Sequence, residues 1–176
     1  MPLATAATLE ERFAACLACH GESGTSATPG VPSLGAQPAL FTTYQLFFFR
    51  EGRREAEPMG QLAKEMTDAD LAAFAAKIEA LPPPAPPAAV PDEARYARGR
   101  ALAGEHLCDT CHNPDYSGRQ QMPRLAHQRE DYLLKALRDY KTGARIGTQA
   151  AMPETVAALD DSALADLAYY LAHLQP

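Results

Sequence analysis

Two pentapeptides constrain this chain more than anything else in it: Cys16-Leu17-Ala18-Cys19-His20 and Cys108-Asp109-Thr110-Cys111-His112. Together they hold all 4 cysteines of the 176 residues, and each pair is followed at once by a histidine. On a helix, positions i, i+3 and i+4 share one face. Two thiols so placed can bond the two vinyl groups along one haem edge, and the next imidazole then faces the iron from the same side. Cys-x-x-Cys-His is the attachment signature of a c-type haem. Two copies with no cysteine left over make that signal strong.

Other chemistries of paired cysteines fit less well. One Cys₄ zinc site would have to bridge the 88 residues between Cys19 and Cys108, far beyond zinc-ribbon spacing, and would leave both histidines unexplained. Thioredoxin-like pairs need a βαβ context, which is absent. Four cysteines are too few for a disulfide scaffold of this length.

The chain reads as a tandem repeat. Cys16 maps to Cys108 at an offset of 92, and Val31–Gln37 maps to Met122–Gln128 at 91. Gly52 maps to Gly143 at 91, and Met59 to Met152 at 93. Leu71, Phe74, Ile78 and Leu81 recur as Leu164, Leu167, Leu171 and Leu174. Both sets step 3, 4, 3, one stripe of an amphipathic helix, and core packing explains them.

Three helices are expected in each half. The first precedes or contains Cys-x-x-Cys-His, with Thr8 and Glu11 as a capping box. The second covers about 38–51 and 129–142, stopped by Gly52 and Gly143. The third covers about 68–81 and 161–174, capped at Thr67-Asp68 and Asp160-Asp161. Strand signals are nearly absent, so the fold class is all-α. The junction, Pro82 to Pro91, has 6 prolines in 10 residues. It reads as extended polyproline II spanning roughly 30 Å, stiff enough to limit how the halves dock. The expected domains are 1–81 and 92–176, with 82–91 as linker.

His20 and His112 are the proximal iron ligands by motif. Candidates for the sixth position are Met59, Met66, Met122, Met152, His106, His127 and His173. A site duplicated with its domain should reuse repeated residues, and only Met59 and Met152 align as methionines. They lie 39 and 40 residues after their histidines. Met66 and Met122 fall opposite Leu159 and Val31 and read as packing. His106 and His127 lack counterparts and read as exposed polar histidines. Met/His ligation closes both axial positions and raises the potential, which suits an electron carrier. Pro32 and Pro123 follow their histidines by 12 and 11 residues. A proline carbonyl there could accept the other ring N–H; a plain loop proline is the simpler reading.

Each half resembles a class I c-type cytochrome, and the whole chain resembles the di-haem "c-four" electron carriers. The resemblance runs from Thr8 to Leu174. It rests on Cys16–His20 and Cys108–His112, on the Pro-x-Leu-x-x-Gln segments Pro32–Gln37 and Pro123–Gln128, and on Met59 and Met152 before a capped final helix. It implies two covalent haem c groups and two domains about a pseudo-twofold axis, with haem propionates near the interface. It also implies a periplasmic location, with a signal peptide trimmed, and a redox protein donor and acceptor such as a dehydrogenase, oxidase or reductase. The chain departs from that family in four places, the unusually stiff proline-rich joint among them. The usual glycine after the motif is Gly21 in one half but Asn113 in the other. A second glycine before the glutamine is replaced by Ala36 and His127. The triplet Phe47-Phe48-Phe49 is unusually apolar, read as haem packing or as an apolar docking patch.

Composition narrows the function classes. The chain is 47% hydrophobic and 22% charged, which excludes disorder. Leu46–Phe49 is the longest strongly apolar run, so no transmembrane segment is expected. A net charge of −6 argues against nucleic acid. Residues 1–82 carry 6 basic and 10 acidic side chains, and residues 83–176 carry 10 and 12. Of the second half's arginines (Arg95, Arg98, Arg100, Arg119, Arg124, Arg129, Arg138, Arg145), one or two are expected to meet haem propionates. The leading function is a monomeric or weakly dimeric electron carrier. A thiosulfate-oxidising or peroxidase-like haem enzyme is the alternative, but the cysteine-ligated thiosulfate type lacks its fifth cysteine here. A dedicated cytochrome subunit of a larger dehydrogenase is the third reading.

Overall fold

The structure, a computed structural model, describes residues 7–89, 91–148 and 151–175. Val90 of the proline-rich segment and the outer ends of both expected domains lie outside these. In the first half the helices are α1 (Leu9–His20), α2 (Ala39–Arg50), α3 (Met59–Ala63) and α4 (Asp68–Glu79). In the second they are α5 (Glu93–Glu105), α6 (Cys108–His112), α7 (Glu130–Thr142), α8 (Ala151–Val156) and α9 (Asp161–Ala172). Among the described residues the only strand-like pairing is an isolated bridge between Arg119 and Met122.

The expected ends are met by their expected chemistry. Thr8 with Glu11 and Thr67 with Asp70 form reciprocal capping boxes, and Asp160 accepts the Ala163 N–H at 2.8 Å. Gly52 and Gly143 turn the chain left-handed after α2 and α7, at φ 64° and 77°. The stripe residues are buried: Leu71, Phe74 and Ile78 in one core, Leu164, Leu167 and Leu171 in the other. The phenylalanine triplet is packing, not a docking patch. Phe48 and Phe49 are buried, and Phe47 is half-buried under the Arg50 and Arg53 guanidinium groups.

The halves differ at the first helix. α1 runs unbroken through the whole motif, whereas α5 stops at Glu105 and the chain bends left-handed at Leu107 (φ 52°) before α6. α5 is held against α9. A Cβ on Gly99 would sit 2.2 Å from the Asp166 carbonyl oxygen, so the crossing admits glycine alone. Arg98 forks onto Asp166 at 2.5 and 3.1 Å beside it.

The proline-rich joint is tied down rather than free. Pro84 is buried, and His127 reaches its carbonyl through Nδ1 at 3.1 Å and the Leu174 carbonyl through Nε2 at 3.1 Å. His127 is thus a half-buried tether, not an exposed histidine; His106 is half-buried too, at the end of α5.

The two halves meet reciprocally. Gln128 donates to the Ser33 carbonyl at 2.8 Å and accepts the Ser33 N–H at 2.8 Å. Gln37 donates to the Arg124 carbonyl at 2.9 Å and accepts the Arg124 N–H at 3.0 Å. Ser33 and Arg124 are repeat equivalents, as are Gln37 and Gln128. The same contact made twice with roles exchanged is the mark of a twofold relation between unequal halves.

Candidate functional site

Each Cys-x-x-Cys-His segment is helical, in α1 and in α6, so both thiols and the imidazole leave from one side. Cys16 and Cys108 are half-buried against the two cores, while Cys19 and Cys111 are exposed. Burial pushes the Cys16 thiol up, and pushes that of Cys108 up to about 11, with Asp109 adding to it. Neither is poised as a thiolate, which speaks against a thiol-exchange centre. Among the described residues, no three Cys, His, Asp or Glu side chains converge on a metal position, so the zinc alternative has no geometry.

His20 and His112 are buried to 7% and 5% exposure. Nδ1 of His20 lies 2.7 Å from the Pro32 carbonyl oxygen, and Nδ1 of His112 lies 2.9 Å from that of Pro123. Burial pulls both imidazoles down, and the carbonyl bonds partly offset it. A neutral ring that donates from Nδ1 keeps a lone pair on Nε2 for a metal. The expected carbonyl acceptors are therefore in place in both halves.

Met59 opens α3 and packs in the core that holds Cys16; Met152 lies in α8 and packs in the core that holds Cys108. Met66 packs in the first core as well. Met122 pairs with Arg119 in a turn, and His173 stacks on Tyr169 at 4.1 Å between ring centres.

Two arginines were not singled out as a pair by sequence. Arg54 and Arg145 each stand two residues after the glycine that ends the second helix, so the repeat offset of 91 could have found them. They come from opposite halves and converge. Arg54 donates to Gln45 Oε1 at 2.7 Å and to the Tyr132 hydroxyl at 2.9 Å, and Arg145 donates to the same Gln45 oxygen at 3.1 Å. Arg145 is buried to 5% exposure, and its Nε has no partner. Burial pushes the Tyr132 phenol up, but the charges of Arg145 and Arg54, with the Arg54 hydrogen bond, bring it down to about 8. Arg124 Nε is likewise buried without a partner. Arg95, Arg98, Arg129 and Arg138 are instead committed to carboxylates.

This donor set fits a covalently held, doubly anionic porphyrin in each half. Four thiols are free, two buried neutral imidazoles offer Nε2, and buried guanidinium N–H groups lack an anion.

Comparison with known proteins agrees. The Cytochrome c family profile matches residues 96–175. A cytochrome c4 from Thiocapsa roseopersicina is 33% identical over 168 residues, covering 90% of this chain and 86% of its own. The thiosulfate dehydrogenase electron acceptor of Thiomonas intermedia is 32% identical over 153 residues, covering 82% and 70%. The reduced recombinant cytochrome c4 from Pseudomonas stutzeri superposes with a TM-score of 0.83 at 26% identity, covering 97% of this chain and all of that one.

Proposed function

The chain belongs to the cytochrome c4 family of di-haem electron carriers, and from that premise we propose that His20 with Met59, and His112 with Met152, are the axial iron ligands of its two haems. The protein is an electron carrier rather than an enzyme, with two covalently attached haem c groups in tandem cytochrome c domains. Each bound haem supplies a reversible one-electron ferric/ferrous couple.

In this reading Cys16 and Cys19, and Cys108 and Cys111, form the thioethers. The Pro32 and Pro123 carbonyls fix the tautomer and plane of each imidazole and raise its basicity. Met59 and Met152 would hold the remaining ligand position of each iron, which would leave neither haem a place for substrate. The observation that carries the histidine half of this assignment is the repeated histidine-to-proline hydrogen bond at 2.7 and 2.9 Å, and the methionine half is supported by the repeat and by the packing of Met59 and Met152 in the cores that hold Cys16 and Cys108. The domains run over 1–81 and 92–176, joined by 82–91. Carbon monoxide tests the closed faces: the native reduced protein should not bind it rapidly, whereas rapid, tight binding would assign the chain to catalysis.

For location we propose the periplasm; no helix of the described residues is long and apolar enough to cross a membrane. The donor and acceptor are redox proteins. The similarity to the Thiomonas intermedia protein favours a thiosulfate-oxidising enzyme as donor. With thiosulfate and such an enzyme, reduction should far outpace that by generic donors, and thiosulfate alone should reduce nothing.

A further inference from the structure

We propose that Gln37 and Gln128 are positioning residues that act in trans, each setting the reduction potential of the haem in the opposite domain. The inference rests on His20 and His112 being iron ligands.

The peptide joining Pro32 to Ser33 is used at both ends. Its carbonyl oxygen accepts from His20 Nδ1 at 2.7 Å, and its N–H donates to Gln128 Oε1 at 2.8 Å. The peptide joining Pro123 to Arg124 repeats this. Its oxygen accepts from His112 Nδ1 at 2.9 Å, and its N–H donates to Gln37 Oε1 at 3.0 Å. In each case a carboxamide from one domain grips the amide on which the other domain's histidine leans.

Hydrogen bonds in series strengthen one another where water is excluded. Gln37 and Gln128 are each 5% exposed and Ser33 2%. An amide whose N–H is donated carries more electron density on its carbonyl oxygen. That oxygen pulls harder on the imidazole N–H, which makes Nε2 a stronger donor to iron. A stronger nitrogen donor favours the ferric state, so each glutamine holds the opposite haem's potential down. The second bond of each clamp, from Nε2 to the carbonyl of Ser33 or Arg124, fixes the carboxamide so that its oxygen cannot turn away.

A merely structural interface would behave differently. Loosening it would disturb both haems, or the haem of the altered domain. The proposal requires a crossed response.

The test uses the haem-loaded full chain with Gln128→Met and Gln37→Met, which keep the side chain's length and remove its carboxamide. Each haem is followed by the methyl signal of its own axial methionine during a potentiometric titration. Gln128→Met should raise the potential of the haem at Cys16 and Cys19, changing its ferric-to-ferrous ratio at fixed ambient potential by about twofold or more. The haem at Cys108 and Cys111 should be unmoved. Gln37→Met should give the mirror result. Equal shifts in both haems, a shift confined to the altered domain, or no shift would overturn the proposal.

Where a variant does not fold, the reduced diamagnetic wild type decides. A through-hydrogen-bond coupling between the Ser33 amide nitrogen and the Gln128 carboxamide carbon supports the arrangement, and its absence overturns it. Failure of the ligand assignment itself is separate: the two axial methionine signals would then be missing from the wild type.

Discussion

Arg54 and Arg145 approach a single carboxamide oxygen, Gln45 Oε1, at 2.7 and 3.1 Å, although they belong to opposite domains. Among the described residues neither is within salt-bridge distance of a carboxylate. Two cations drawn together, one of them buried, need an anion to offset their desolvation. The propionates of a bound haem would supply that charge.

Replacing Arg145 by Gln should therefore lower at least one haem potential, because a nearby cation favours the ferrous form, which carries one charge less. It should also cost about 3 kcal/mol, the scale for leaving a buried charge without its partner. A redox titration and a denaturant unfolding curve of the haem-loaded variant check the two effects. Unchanged potentials would remove Arg145 from the anion site.

The turn after each motif supplies a second prediction. Gly21 has φ 88°, and a Cβ there would sit 2.0 Å from the Thr25 carbonyl oxygen. Gly21→Ala should cost at least about 2 kcal/mol, since strain and clash add. Gly52, also left-handed at φ 64°, has open space around it, so Gly52→Ala should cost only about 1 kcal/mol. Asn113 sits at φ 71° without glycine and is compensated by its side chain, which donates to Ser117 Oγ at 2.9 Å and to the Gly118 carbonyl at 2.8 Å. Comparing the unfolding free energies of the two alanine variants measures the contrast.

Ala36 holds φ 52° in the segment where the family often has glycine. The left-handed conformation costs a side-chain residue about 1–2 kcal/mol, against about 0.4–1 kcal/mol of chain entropy that glycine adds to the unfolded state. Strain wins, so Ala36→Gly should stabilise the protein by about 0.5–1 kcal/mol. A rise in the denaturant midpoint at unchanged slope is the expected reading. His127, at φ 58°, gains nothing from the same change, because it also tethers Pro84 and Leu174.

Asp70 supplies a pH-dependent test. Arg12 Nη1 lies 2.6 Å from it, and this bond, with the Thr67 cap, holds its carboxyl well below the usual range. A depressed carboxylate stabilises the fold above its unfolded pKa, and that stability fades as pH falls through the folded value. Asp70→Asn should cost about 1 kcal/mol at neutral pH, a figure discounted for the solvent around Arg12. The difference from wild type should shrink steadily below about pH 4. A constant difference down to acid pH would mean that charge plays no part.

Much of this architecture was legible in the sequence because it is local. Thr8, Thr67 and Asp160 cap the helices they were expected to cap, and α2, α4, α7 and α9 end within two residues of their expected bounds. The spacing of Pro32 and Pro123 allowed carbonyls behind His20 and His112 but favoured plain loop prolines, and the hydrogen bonds at 2.7 and 2.9 Å show the carbonyls in contact. What escaped was tertiary. Nothing near Leu107 announces that α5 and α6 separate where α1 is continuous. The roles of Gln37, Gln128 and Arg54 depend on the other half of the molecule, and that of His127 on the joint and the far end of its own domain, so local pattern alone shows none of them. The repeat offset held the clue for three of the four. His127 has only Ala36 opposite it, so its tether to Pro84 had no precursor in the pattern.

The ligand assignment is tested most directly by separate potentiometric titrations of Met59→His and Met152→His. Imidazole favours ferric iron more than a thioether does. Each variant should therefore lower one of the two potentials and leave the other where it was, with a different haem moving in each. A variant that moved neither potential would show that its methionine does not reach the iron, and the shared design of the two sites would fall with it.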